Sequence, residues 1–374
     1  MIFPFTPPPS GASSSVAFGG VVTNLSLSSC LSSPALFQTL QAALYTHKVL
    51  LVKNQAALTP QEQFDLMRLF DPAANEGHGH NDATVTYRGQ KSLLYGIGNA
   101  LSGHPEVKLV GGGKQSERFG GANLQQADHT SYHRHPLTSE ERAAGLTRFH
   151  RWHMDCSLFR TSLPLVTSLL CVASPANNGP ELTVRWDDGT GYEMKVKAGA
   201  TAFLSGSDML EALNEEERRW VEEAEVEYAP WPYQWNGPSR GNSNGLGTYH
   251  EPGNTMLLED LPEWEKKDVK RYPVVWTCPV TGEKSFQVHS VAVLKIHHPS
   301  LASPMTDLAE IRKTLYDLQR KCLKPENVWA PAYEKGDLVL FNNRAVYHSA
   351  TDYPQGYGTR SMLQAHIAAS FDPK

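Results

Sequence analysis

Two short polar strings, far apart in the chain, most constrain what it can fold into. The first is Phe149-His150-Arg151-Trp152-His153-Met154-Asp155, which opens the run FHRWHMDCSLF; the second is Tyr347-His348-Ser349, followed by Arg360 on GTRSMLQAHIAAS. Alternate residues of a strand share a face. As a strand, the first run groups Phe149, Arg151, His153, Asp155 and Ser157 against Trp152, Met154, Cys156 and Leu158. The last run groups Arg360, Met362, Gln364, His366 and Ala368 against Ser361, Leu363, Ala365 and Ile367. Strand patterns flank both strings, and helical patterns lie between and before them. One α+β, mainly β domain accommodates this better than two independent modules: a double-stranded β-helix (a jelly roll, cupin-like) with flanking helices.

The residue types then limit the chemistry. A lone His-x-Asp is common, and His153 with Asp155 reads equally as a surface hydrogen-bonded pair. Context separates the two readings. Gly336-Asp337-Leu338-Val339-Leu340-Phe341, with the turn Asn342-Asn343-Arg344, delivers His348 to the start of another strand, where it can meet the first two groups. Two histidines and a carboxylate hold a redox metal on one face and leave its other positions open, the ligand set of non-haem Fe(II) oxygenases. An Arg360 guanidinium can grip a carboxylate with a two-pronged fork that lysine lacks, the bland alternative being a core-edge salt bridge. Thr183 could donate to the same carboxylate, although a β-branched residue in a strand needs no such reason to be there.

Along the chain, residues 1–20 are Pro- and Ser-rich and predict a flexible tail, with a single domain over 21–374 carrying an insert at about 207–330. Residues 36–72 show helical periodicity around a buried strand, HKVLLVKN, and Thr59-Pro60 with Glu62 forms a capping box. Residues 73–135 read as long loops crossed by short strands such as SLLYGIG, and Thr138 caps a short helix. VTSLLCVAS and TAFLSG read as strands, and ELTVRW-DDGTG-YEMKVK as a hairpin at Asp188-Gly189. Helices are predicted over 207–223 and 306–322, with a Pro-Val-Thr-Gly turn leading into KSFQVHSVAVLKI.

Other readings fall away. A net charge of −5 and a pI near 6.3 give no support for nucleic acid or an anionic membrane as partner. No apolar run approaches the roughly 20 residues that span a bilayer, and no signal sequence is evident. The five cysteines are scattered and never form CxxC, which favours a reducing cytoplasm. Gly111-Gly112-Gly113-Lys114 lacks P-loop spacing. Histidines 129, 133, 135 and 150 are too irregular for zinc, and His289, between apolar neighbours, reads as a satisfied buried histidine.

With these residues in place, the chain resembles the taurine-dioxygenase-like Fe(II)/2-oxoglutarate-dependent oxygenases and, within them, the fungal xanthine dioxygenases. The likeness runs from about residue 36 onward and is densest in LTRFHRWHMD, TVRWDDGTG, TAFLSG, SNGLG, PVTGEKSFQVH and EKGDLVLFNNRAVYHS. It implies that His153, Asp155 and His348 bind Fe(II) and that Arg360 and Thr183 hold the distal carboxylate of 2-oxoglutarate. It further implies O2 as a second cosubstrate with ascorbate in support, release of succinate and CO2, and oxidation of xanthine to uric acid. Gln364 matches a glutamine attributed to purine contact. His366 stands where the xanthine branch has asparagine, and the branch's acidic pair falls at Glu140-Glu141, making Glu141 a substrate-contact candidate. Another small heterocycle or a sulfonate is the alternative substrate, and a non-catalytic β-helix binding protein the alternative class.

Overall fold

The computed structural model describes residues 5–6, 16–74, 86–87, 90–91, 99–117, 120–121, 123–124 and 132–374. Its largest sheet runs in the order Phe5–Thr6, Gly20–Val22, Val49–Val52, Leu338–Asn342, Val166–Ala173, Arg360–His366, His104–Lys114 and Asn99–Leu101, with Asn123–Leu124 added beside His104–Lys114. Gly20–Val22 pairs parallel to Val49–Val52, and the other neighbours are antiparallel.

Strand alternation divides this sheet between two cores. Leu50, Val52, Leu109, Leu170, Leu338, Leu340 and Leu363 pack with Leu40, Leu44, Leu66 and Met67 of the helices Pro34–His47 and Pro60–Phe70. Their neighbours Val49, Leu51, Leu169, Cys171, Val339, Phe341 and Met362 face the other way, onto Phe203, Trp329 and Val346 of a second sheet. That sheet has the order Val328–Trp329, Thr201–Ser205, Val346–Ala350. Two facing sheets with helices on one outer face make the jelly roll, and the inner face is the one that carries Arg360, Gln364 and His366.

Local sequence explains many boundaries. Thr59 and Thr138 each complete a capping box, with Glu62 and Glu141 respectively. The hairpin joins Leu182–Arg185 to Glu193–Val196, with Gly189 and Gly191 at positive φ in its turn.

Several expectations are corrected. FHRWHMDCSLF is not a regular strand: it is held by isolated bridges, Phe149 to Thr351 and His153 to His348, and Leu158 and Arg160 turn the chain at φ 55° and 62°. Phe149 consequently joins Trp152 and Trp186 in the core. Described parts of the expected tail lie in the sheet, since Phe5–Thr6 pairs with Gly20–Val22 and Phe18 is buried. Within 73–135 the chain forms the strand His104–Lys114, and SLLYGIG lies outside the described residues. Its glycines serve close approach: a Cβ on Gly111 would stand 2.0 Å from the Arg360 carbonyl oxygen. Residues 207–223 split into Gly206–Glu211 and Glu215–Glu223, because Asn214 caps the second helix. After the Pro-Val-Thr-Gly turn, where no element was predicted, the chain forms Lys284–Phe286, a 3-10 turn at Ser290–Ala292, and Val293–His297.

Candidate metal centre

His153 and His348 meet through their backbones. Each donates its N–H to the other's carbonyl, at 3.0 Å and 2.9 Å, the hydrogen-bonded pair of an antiparallel ladder. Residues paired in this way send their side chains to one face, and the two imidazole centroids lie 4.1 Å apart. Asp155 joins them by a separate device. The buried Asn343 side chain accepts from the Asp155 N–H at 2.8 Å and donates to its carbonyl at 2.7 Å.

The three donor groups therefore converge. Asp155 Oδ1 is 3.6 Å from His348 Nε2 and 4.0 Å from His153 Nε2, and one donor atom from each residue lies within 4.8 Å of the others. The two measured separations exceed a hydrogen bond, yet one ion with ligand bonds of about 2.0–2.2 Å could bridge them. Among the described residues this is the one such group. The ligand states also fit. Burial would raise the Asp155 carboxyl, but the imidazoles of His348, His366 and His153 outweigh it and hold the group well below the carboxylate range. Burial, reinforced by His153, lowers His348 to about 3, so its imidazole is neutral. An ionised carboxylate and a neutral imidazole are the forms that bind metal. His153 Nδ1 donates to the Arg151 carbonyl at 2.8 Å, which fixes the tautomer and turns the Nε2 lone pair toward Asp155. The His153 side chain keeps 34% of its exposure and those of Asp155 and His348 6% each, so the cluster is open on the His153 side.

The second oxygen of Asp155 faces the large sheet. Gln364 Nε2 donates to Oδ2 at 3.1 Å, and His366 Nδ1 lies 3.8 Å from the same atom. Two of the three residues predicted to contact substrate, Gln364 and His366, thus sit against Asp155, and His366 is fully buried. Arg360 extends along the inner face. Its Nε donates to the Gly199 carbonyl at 2.9 Å and its Nη2 to Thr201 Oγ1 at 3.0 Å. Gly199, at φ +69°, leaves the guanidinium stem its room, since a Cβ there would lie 3.1 Å from Arg360 Cδ. Thr183 is buried on Leu182–Arg185 and accepts from Lys195 Nζ at 2.6 Å, so Arg360's observed threonine partner is Thr201. Glu141 closes its helix cap through the Thr138 N–H and pairs with Arg185.

Sequence reasoning missed three residues beside the cluster. Lys108 stands directly across from Gln364 on the inner face and is 7% exposed; burial lowers its amine to about 8 against the pull of Asp155. In the sequence Asn343 reads only as part of a turn. His289 lies with its ring centroid 6.4 Å from that of His153. A period-2 reading of EVKLV would have exposed Lys108, whereas nothing local marks Asn343 or His289.

Comparison with known proteins identifies the family of the chain. The family described as taurine catabolism dioxygenase TauD, TfdA matches residues 3–366. The alpha-ketoglutarate-dependent xanthine dioxygenase of Emericella nidulans is 38% identical over 98% of this chain and 96% of its own length. The protein of that description from Schizosaccharomyces pombe is 35% identical over 96% and 86%. A taurine dioxygenase from Burkholderia xenovorans, solved by crystallography, superposes with a TM-score of 0.57 at 16% identity, covering 100% of this chain and 93% of that one, a likeness of fold.

Proposed function

This chain belongs to the taurine catabolism dioxygenase TauD, TfdA family, and from that premise we propose that it is an Fe(II)- and 2-oxoglutarate-dependent dioxygenase that hydroxylates xanthine to uric acid. The convergence of His153, Asp155 and His348 within 4.8 Å carries the reading. The substrate rests on the near full-length xanthine dioxygenase relatives.

In this reading His153, Asp155 and His348 hold Fe(II). The metal, with O2 and 2-oxoglutarate, supplies the oxidising power, 2-oxoglutarate leaving as succinate and CO2. The protein's part is placement. Asn343 and Gln364 fix both ends of Asp155, so its carboxylate cannot swing away from the histidines. Arg360, oriented by Gly199 and Thr201, receives the distal carboxylate of 2-oxoglutarate together with Thr183. The open side at His153 admits the small substrate, while Phe203 and Phe341, packed about the His348 ring, keep water from the rear. All five cysteines are free, four of them buried, which accords with a cytoplasmic setting. Among the described residues, no helix is long and apolar enough to cross a membrane. Residues 21–374 act as one catalytic domain in this reading, the insert at about 207–330 covering one side of the site.

Purified protein with Fe(II), ascorbate and 2-oxoglutarate should release succinate on addition of xanthine and form uric acid in equal amount. Asp155→Ala should remove both products with the fold retained, and Arg360→Ala should mainly raise the KM for 2-oxoglutarate. Absence of xanthine-dependent succinate from the folded wild-type protein would refute the substrate.

A further inference from the structure

His289 does not behave as a satisfied core histidine. It is 3% exposed, yet its Nδ1 has no hydrogen-bond partner, and its ring neighbours those of His153 and Tyr233, at centroid separations of 6.4 Å and 5.9 Å. Tyr233 cannot supply the missing bond from its hydroxyl proton, which goes to the Cys156 carbonyl at 2.6 Å. Buried nitrogens left in this state are rare and call for a partner.

Arg151, near enough to His289 for its charge to act on that ring, has the complementary property. Its backbone is committed, the N–H to Ser349 Oγ and the carbonyl to His153. Its guanidinium lies over the Tyr132 ring, 4.4 Å from the centroid. Among the described residues no carboxylate pairs with it, whereas Arg148 pairs with Asp187, and Arg185 with Glu141 and Asp187. Two uncommitted polar groups therefore border the open side of the histidine cluster.

We propose that Arg151 and His289 form the substrate-reading wall of this site, recognising the edge of a planar heterocycle in which a ring carbonyl adjoins a ring N–H. The chemistry follows from their inventories. A guanidinium only donates, and a neutral imidazole donates from one nitrogen and accepts at the other. Together they match an edge that offers carbonyl oxygens and a single donor, the lactam or ureide pattern, and they leave a sulfonate, with three acceptors and no donor, one acceptor in excess. The Tyr132 ring backs the guanidinium from one side. This inference rests on the function proposed above and adds which residues select the substrate.

The test is direct binding to metal-free protein by calorimetry, with xanthine as the probe and thermal melting as the folding control. Arg151→Met and His289→Leu should each weaken xanthine binding about tenfold to a hundredfold, the worth of a charged or buried hydrogen bond. His289→Gln, which keeps one donor and one acceptor, should restore most of the loss. In the Fe(II)-loaded enzyme the same variants should raise the KM for xanthine while leaving that for 2-oxoglutarate unchanged. Unaltered xanthine affinity in both apolar variants, or a parallel loss of 2-oxoglutarate affinity, would overturn the assignment. A wild-type protein that ignored xanthine would end the function above but not this inference. The variants would then be measured with uracil and hypoxanthine, and failure of the wild type to bind either would end it too.

Discussion

Lys108 shows what one side chain does to this site. Its amine is buried on the inner face, and among the described residues no hydrogen bond or ion pair reaches it. Burial lowers it to about 8 from an ordinary value of 10.5, with Asp155 pulling the other way. Below about pH 8 both folded and unfolded chains carry the proton, and the folded state bears the whole cost of burying it. Between about 8 and 10.5 only the unfolded chain holds the proton, so stability rises with pH across that window and the cost is gone above it. Lys108→Met should accordingly stabilise the metal-free protein at pH 7, by up to about 3 kcal/mol, with the gain vanishing near pH 10.5. Denaturant midpoints at the two pH values measure it, and a gain independent of pH would assign the effect to packing instead. Arg360 was legible in the sequence because its chemistry is self-announcing after a histidine ligand. Lys108 was not, because its importance comes from a cross-strand neighbour far away in the chain.

At the scale of elements, the clamp of Asn343 on Asp155 joins the turn after Leu338–Asn342 to an irregular segment that has no strand of its own. The Asn343 side chain makes three bonds, two to the Asp155 backbone and one to the Pro164 carbonyl at 3.2 Å. Asn343→Ala strands these groups in the interior, at a cost of about 1–3 kcal/mol for each left unsatisfied. The expected result is a lower melting temperature and an Fe(II) affinity reduced about 10- to 100-fold, as for other residues that orient a ligand. Anaerobic metal titration reads the second effect; an unchanged affinity would show that Asp155 is held without the clamp. Helix starts were readable here because a capping box is a local pattern, as at Thr59 and Thr138. The segment around His153 reads as a strand because polar and apolar residues alternate from Arg151 to Leu158, yet the ladder is missing: one bridge suffices to align the ligands, and Leu158 and Arg160 end any regular extension.

For the whole molecule, the cluster joins parts of the fold that the chain visits at very different times. His348 belongs to the smaller sheet, Asp155 is braced by Gln364 from the larger one, and His153 bridges to His348. An ion bound there ties the two sheets together. Fe(II) under anaerobic conditions should therefore raise the melting temperature, the stabilisation reaching about 2.7 kcal/mol at a hundredfold excess over Kd. Asp155→Ala should abolish the shift, and a wild-type protein insensitive to the metal would argue against the ligand set. The jelly-roll class could be read from strand runs and turn residues. The order of strands could not, because pairing such as Val166–Ala173 between Leu338–Asn342 and Arg360–His366 depends on contacts with no local signature.

The backbone pairing of His153 with His348 has a consequence for inheritance. Both hydrogen bonds run between main-chain atoms, so they persist whatever side chains those positions carry. A gene duplicate that lost either imidazole in a single codon change would still keep the main-chain pairing that joins the two positions. Chemistry and architecture are thus carried by different atoms here: the imidazoles supply the ligands, and the main chain supplies the frame that aligns them.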